Sequence, residues 1–226
     1  MPMRVEFARE LALLHQEIIR MGATVERAIE EAIDALTSMD ETKAALIIAQ
    51  DDVIDEMERQ IDRHCVAIIS RQQPVAADLR DVTSTLKLIT DLERIADHAS
   101  DICERVLEIC QNEHKIAVPH DIVVIANLAL SMLRGALDAY VANDDTRAAG
   151  IISMDDKVDE LYMRLKNHLI HLMQVDSRDT SQLVELLLIA KYVERIADHA
   201  QNVAEWVAYH IQGRYYGHQG RLGGDK

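Results

Sequence analysis

Apolar residues recur at intervals of three and four along almost the whole chain, the signature of amphipathic helices packed on one face. The first run carries Leu11, Leu14, Ile18, Met21, Val25, Ala28, Ile29, Ala32 and Leu36, and predicts a helix over about Arg4–Ser38. A second runs over Glu41–Ser70, with Asp40 placed to accept hydrogen bonds from its first free amides. Arg71-Gln72-Gln73-Pro74 breaks it, because proline disfavours helix at the residue before it and readily opens the next one. A third helix is predicted over Val75–Asn112, and Val118-Pro119-His120 is the one plausible linker. The same order then repeats as Asp121–Ala142, Asp145–Gln174 and Thr180–Gln212, with breaks at Asn143-Asp144 and Asp176-Ser177 and a terminating Gly213. Arg214–Lys226 is Gly-rich and polar and is expected to be a flexible tail. Short connections force antiparallel neighbours, so each half is a three-helix, up-down-up bundle.

The halves are copies of one unit. Glu-Arg-Ile-Ala-Asp-His-Ala occurs at 93–99 and again at 194–200, an offset of 101. Upstream, Asp51-Asp52-Val53-Ile54-Asp55-Glu56 reappears as Asp155-Asp156-Lys157-Val158-Asp159-Glu160 at an offset of 104, and Asp40, Thr42, Ala44 and Ile47 match Asp144, Thr146, Ala148 and Ile151 at the same interval. A connecting loop three residues shorter in the second copy accounts for the change. The expected organisation is all-α: two tandem three-helix bundles with pseudo-two-fold symmetry, residues 1–117 and 118–213, followed by the tail at 214–226.

The duplicated segments are acidic, and their acids fall together. At about 100° per residue, Glu93, Asp97 and Asp101 form one stripe beside a core arc of Leu88, Leu92, Ile95, Ala99, Ile102 and Val106. On the second helix Asp51 and Asp55 flank an arc of Leu46, Val53, Met57, Ile61, His64 and Ile68 in the same rotational sense. Residues 51 and 97, like 55 and 93, are centred on Pro74 at the hairpin turn; 155 and 198, like 159 and 194, are centred on Asp176-Ser177. The pairs should therefore stand level on one face of each hairpin. Two unit charges about 6 Å apart repel by roughly 1–3 kcal/mol at surface-like dielectrics. Water and arginine (Arg94, Arg195) can relieve such crowding, or a metal ion can. Oxygen-only ligands suit hard cations: magnesium, calcium, manganese, or iron held through carboxylates. His98 and His199 lie about 140° from Glu93 and Glu194 on the wheel, away from the acids, and His15, His64, His168 and His171 show no ligand spacing.

Composition narrows the class further. Three prolines and eight glycines in 226 residues, 49% of them hydrophobic, favour long helices. A net charge of −15 argues against a nucleic-acid partner, since phosphate backbones need a basic surface. Cys65, Cys103 and Cys110 form no CxxC pair and read as buried thiols of a reducing compartment. The N-terminal residues lack a signal-peptide core, and no apolar run is expected to insert into a membrane. No Glu is followed by His three residues later, and Gly-rich phosphate loops, GxSxG and HExxH are absent, so an enzyme is not expected.

Arg71-Gln72-Gln73-Pro74-Val75-Ala76-Ala77-Asp78-Leu79-Arg80, the two Glu-Arg-Ile-Ala-Asp-His-Ala segments and the duplicated second-helix acids together resemble the PhoU family of phosphate-transport regulators, over nearly the whole chain to Gly213. The resemblance implies metal clusters on the bundle surface (Fe, Mn or Mg), held first by Asp51, Asp55, Glu93, Asp97 and Asp101. The second would use Asp155, Asp159, Glu194 and Asp198, with Asn202 in place of Asp101 and hence one charge fewer. Ala96 and Ala197 stand where family members often have Gly. It also implies a negative regulator of the phosphate-starvation response: a homodimeric adaptor at the inner face of the membrane. Its partners would be the ATPase subunit of a high-affinity phosphate ABC transporter and a membrane sensor histidine kinase. An accessory regulator of a low-affinity phosphate permease and a carboxylate-bridged metalloenzyme are the alternatives.

Overall fold

A computed structural model describes residues 2–213, and the expectation for the tail lies outside them. The described residues are helical with short connections: α1 Pro2–Ser38, α2 Glu41–Gln72, α3 Ala77–Cys110, α4 His120–Ala142, α5 Asp145–Ile152, α6 Asp155–Val175 and α7 Thr180–Gln212. Helices α1–α3 form repeat one and α4–α7 repeat two, and a single continuous core joins them. The long contact between α3 and α7, the two helices that carry the heptapeptide, is the seam between the repeats.

The breaks have local causes. Asp40 accepts from the amides of Thr42 and Lys43, opening α2 as expected. Gln73 and Asn143 close α2 and α4 in the left-handed conformation, where a terminal N–H can reach back to an orphan carbonyl. Gly22 allows α1 to press against α4, because a Cβ there would stand 2.7 Å from Leu137 Cδ1. Arg134 of α4 ties the same pair of helices by reaching Glu26 (3.1 Å) and Glu30 of α1.

Three expectations need correction. The predicted helix Asp145–Gln174 is two helices, α5 and α6. At the joint Met154 N–H bonds to Ile151 C=O (2.9 Å) in a four-residue turn, and Ser153 Oγ donates to Gly150 C=O (2.8 Å). Gly150 and Ser153 replace Leu46 and Ala49 of the unbroken first copy, and both weaken helix. Secondly, α4 does reach the length and apolarity of a membrane span, with a mean hydropathy of 1.6, but 61% of that window is buried inside the bundle. It lies against α7, α1, α5 and α6, which explains why so little of it is polar. Finally, Leu46 and Val53 do not enter the core: they are 56% and 55% exposed, and Ala44, Ile47 and Ile54 are buried instead, beside Ile61 and Ile68 as expected. The α1 and α3 core positions are found as predicted, with Leu11 and Ala28 only partly buried. All three cysteines are free and buried.

Candidate functional site

Each acidic cluster is made by the hairpin of the two later helices of its repeat. In repeat one, Asp55 of α2 meets Glu93 and Asp97 of α3, each offering a carboxylate oxygen within 4.8 Å of the others. In repeat two, Asp159 of α6 meets Glu194 and Asp198 of α7 within the same limit. Three oxygens at that spacing, supplied by two rigid helices, could hold one hard cation.

The first cluster shows the strain of crowded like charges. Glu93 is half-buried, and that burial, with Asp97, Asp55 and Glu58 nearby, pushes its carboxyl up to about 7. Burial likewise pushes Asp51 up to about 6, reinforced by Asp97, Asp55, Asp52 and Asp101. Asp51 therefore borders the triplet, as its level in the hairpin predicted. Asp101, one turn beyond Asp97 on α3, adds to the charge around Asp51 while accepting from His98 Nδ1 at 3.1 Å. Arg94 supplies partial relief: its guanidinium is 2.7 Å from Asp97 and 3.4 Å from Glu93.

Repeat two keeps the triplet and changes its surroundings. Glu194 and Asp155 are both buried, each 8% exposed. Asp155 opens α6 one turn before Asp159. The ammonium of Lys191 pairs with Glu194 and sits 5.3 Å from the centre of the Tyr162 ring. Asn202 does not join the triplet. Its amide donates to Asp91 of α3 (3.1 Å), because at this point α7 faces the other repeat rather than α6.

Asp91 was not legible as a special residue. It accepts from three groups of α7: His199 Nδ1 at 2.8 Å, Asn202 at 3.1 Å and Trp206 Nε1 at 3.0 Å. The duplicate position is Tyr192, whose ring stacks on His98 at 5.7 Å. Neither histidine joins a carboxylate triplet; both pack in the α3–α7 seam, with ring centres 5.7 Å apart. Elsewhere His15 Nε2 lies 3.1 Å from the buried Asp81, and His64 Nδ1 is 2.7 Å from Glu17. The three donors that meet the half-buried Asp91 come from the other repeat, and the α3–α7 register that brings them there is not written in one sequence.

The chain matches the family model described as the PhoU domain twice, over residues 18–106 and 122–207. It is 39% identical over 213 residues to the phosphate-specific transport system accessory protein PhoU homolog of Clostridium acetobutylicum, covering 92% of this chain and 95% of that one. It is 34% identical to the accessory protein PhoU of Escherichia coli, covering 98% of this chain and 90% of the relative. The crystal structure of PhoU from Pseudomonas aeruginosa superposes with a TM-score of 0.89 at 34% identity, over 92% of this chain and all of that one (100%). That of the phosphate transport system regulatory protein PhoU from Streptococcus pneumoniae gives 0.87 at 30% identity, over 92% and 98%. The chain belongs to the PhoU family, and its role is accessory and regulatory in phosphate transport rather than enzymatic.

Proposed function

We propose that the protein is a metal-binding adaptor that restrains the phosphate-starvation response, joining the ATPase subunit of a high-affinity phosphate ABC transporter to a membrane sensor histidine kinase. The observation that carries this reading is the paired triplet: Asp55, Glu93, Asp97 in one repeat and Asp159, Glu194, Asp198 in the other. The crowding that lifts Glu93 to about 7 is what a divalent cation would relieve, which supports the fit of the residues to a metal. Asp51 and Asp101 in repeat one, and Asp155 in repeat two, would complete the coordination of manganese, iron or magnesium. The bound ion would cancel much of the negative charge on each face, and its open coordination positions would take carboxylate or phosphate oxygens of the partners. Partners sited at the membrane would bring the protein to its inner face without insertion, as a homodimer.

The test is co-purification. Tagged protein loaded with manganese should retain the transporter ATPase and the kinase from solubilised membranes. Asp97→Lys with Asp198→Lys should keep the helical circular dichroism and lose both partners. Equal capture by the double variant, or by chelator-treated wild type, would overturn the metal-dependent adaptor.

A further inference from the structure

Along α1 and α2 of repeat one, two clefts of about 440 and 500 Å³ adjoin at Arg20, Val53 and Met57. Together they run from Glu17 to Glu31 of α1. At 1.5 Å per residue that is a groove of roughly 21 Å, the length of about four helical turns. Ala23, Thr24 and Ala28 keep the α1 side shallow, so a third helix could approach at an ordinary packing distance of about 8–10 Å.

The duplication supplies an internal control. The exposed apolar side chains Leu46 and Val53 lie two turns apart on the same side of α2. At the offset of 104 their counterparts are Gly150 and Lys157, both exposed. Repeat two folds without an apolar side chain at either position, so the fold does not demand one in repeat one. The space around the groove differs too. Glu31 and Ile47 line the open cleft, whereas their counterparts Gly135 and Ile151 close on each other, with the Ile151 Cδ1 only 2.3 Å from where a Gly135 Cβ would stand.

Charge alternates along the α1 wall, with Glu17 and Glu31 at its two ends and a pair of arginines between them. The α1 wall carries Arg20 and Arg27, both exposed, and among the described residues neither is paired with a carboxylate. The α2 wall carries Asp52 and Glu56. We propose that this groove is a docking site for an amphipathic helix of a partner protein. Its apolar stripe covers Leu46, Val53 and Met57, its acidic flank faces Arg20 and Arg27, and its basic flank faces Asp52, since Glu56 is already held by Arg59 (3.3 Å) and Arg63 (2.9 Å). The two arginines are seven residues apart, so carboxylates spaced by two turns on the incoming helix meet both. The groove adjoins the repeat-one acids, since Asp51, Ala96 and Ser100 line one of its clefts, but none of the triplet residues Asp55, Glu93 and Asp97 lines either cleft.

A fluorescein-labelled helical peptide of about 16 residues, with leucines at i, i+4, i+7 and i+11, glutamates on one flank and lysines on the other, tests it by anisotropy against the full chain. Saturable binding is expected, absent for a peptide of equal composition with the leucines scattered. Val53→Lys, which installs the residue of the other repeat, and Arg20→Glu with Arg27→Glu should each weaken it at least about tenfold, while Lys157→Ala leaves it unchanged. No saturable binding, or binding indifferent to both groove variants, would overturn the proposal. Light scattering that shows a dimer converted to monomer by Val53→Lys would assign the face to a second copy and overturn it equally.

Discussion

In repeat one the carboxylates of Asp55, Glu93 and Asp97 are half-buried and the exposed Arg94 lies across two of them. In repeat two Glu194 is buried, and its cation is Lys191, held beside the Tyr162 ring. Arginine follows the glutamate in both copies, at 94 and 195, yet among the described residues only Arg94 reaches its neighbours' carboxylates. Duplication has thus preserved the acid frame, which the hairpin levels impose, while the surrounding counter-charge has drifted. The same divergence runs through the α3–α7 seam. Asp91 gathers three donors where the symmetric position is Tyr192. It also separates the exposed Leu46 and Val53 from Gly150 and Lys157.

The largest effect tests where the two copies of the second helix place their apolar side chains. Ile54→Lys puts a charge into the core and should cost about 4 kcal/mol or more, whereas Val53→Lys should change stability by less than about 0.5 kcal/mol. Chemical denaturation of both variants checks this, and equal losses would mean that the α2 face is misassigned. Next, Asp91→Ala strands three donors in the seam and should cost about 2–4 kcal/mol in thermal unfolding, against under about 1.5 kcal/mol for Tyr192→Phe.

A smaller effect distinguishes the clusters by pH. In the metal-free fold Glu93 and Asp51 hold protons up to about pH 7 and about pH 6, well above the ordinary 4.5 and 3.8. The native state then binds more protons than the unfolded chain in that window, so its stability falls as pH rises from about 4 through 7. The loss should be on the order of 1 kcal/mol once solvent screening is allowed for, and Glu93→Gln should remove about half of it, the rest belonging to Asp51. Smallest of all, Arg94→Ala deletes a competing cation and should raise repeat-one metal affinity about two- to five-fold, a shift of several tenths of a kcal/mol in calorimetry.

Much of this was legible in the chain. The heptapeptide repeat and the unbroken three-and-four spacing of Leu88, Leu92, Ile95 and Ala99 fix both the duplication and the face of α3 that is buried. Equal spacing about Pro74 and Asp176-Ser177 placed Asp55 level with Glu93 and Asp159 level with Glu194, as found. Two of the misses share a cause: each depended on a neighbour outside the hairpin. Val53 and Ile54 are adjacent apolar residues, and only the seating of α1 against α2 decides which turns inward. Asn202 was placed by analogy with Asp101, but Asp91 of the other repeat claims its amide. The joint at Ser153-Met154 arises where two moderate helix weakeners coincide, neither a proline, so periodicity alone ran through it.

The central claim is that each triplet holds one hard cation. Isothermal titration of metal-free protein with manganese, run on wild type, Asp55→Asn/Asp97→Asn and Asp159→Asn/Asp198→Asn, tests it most directly. The account predicts saturable binding at both repeats, with each double variant losing its own repeat's share and keeping the other. Wild type that takes up no manganese, or variants that both titrate like wild type, would contradict it.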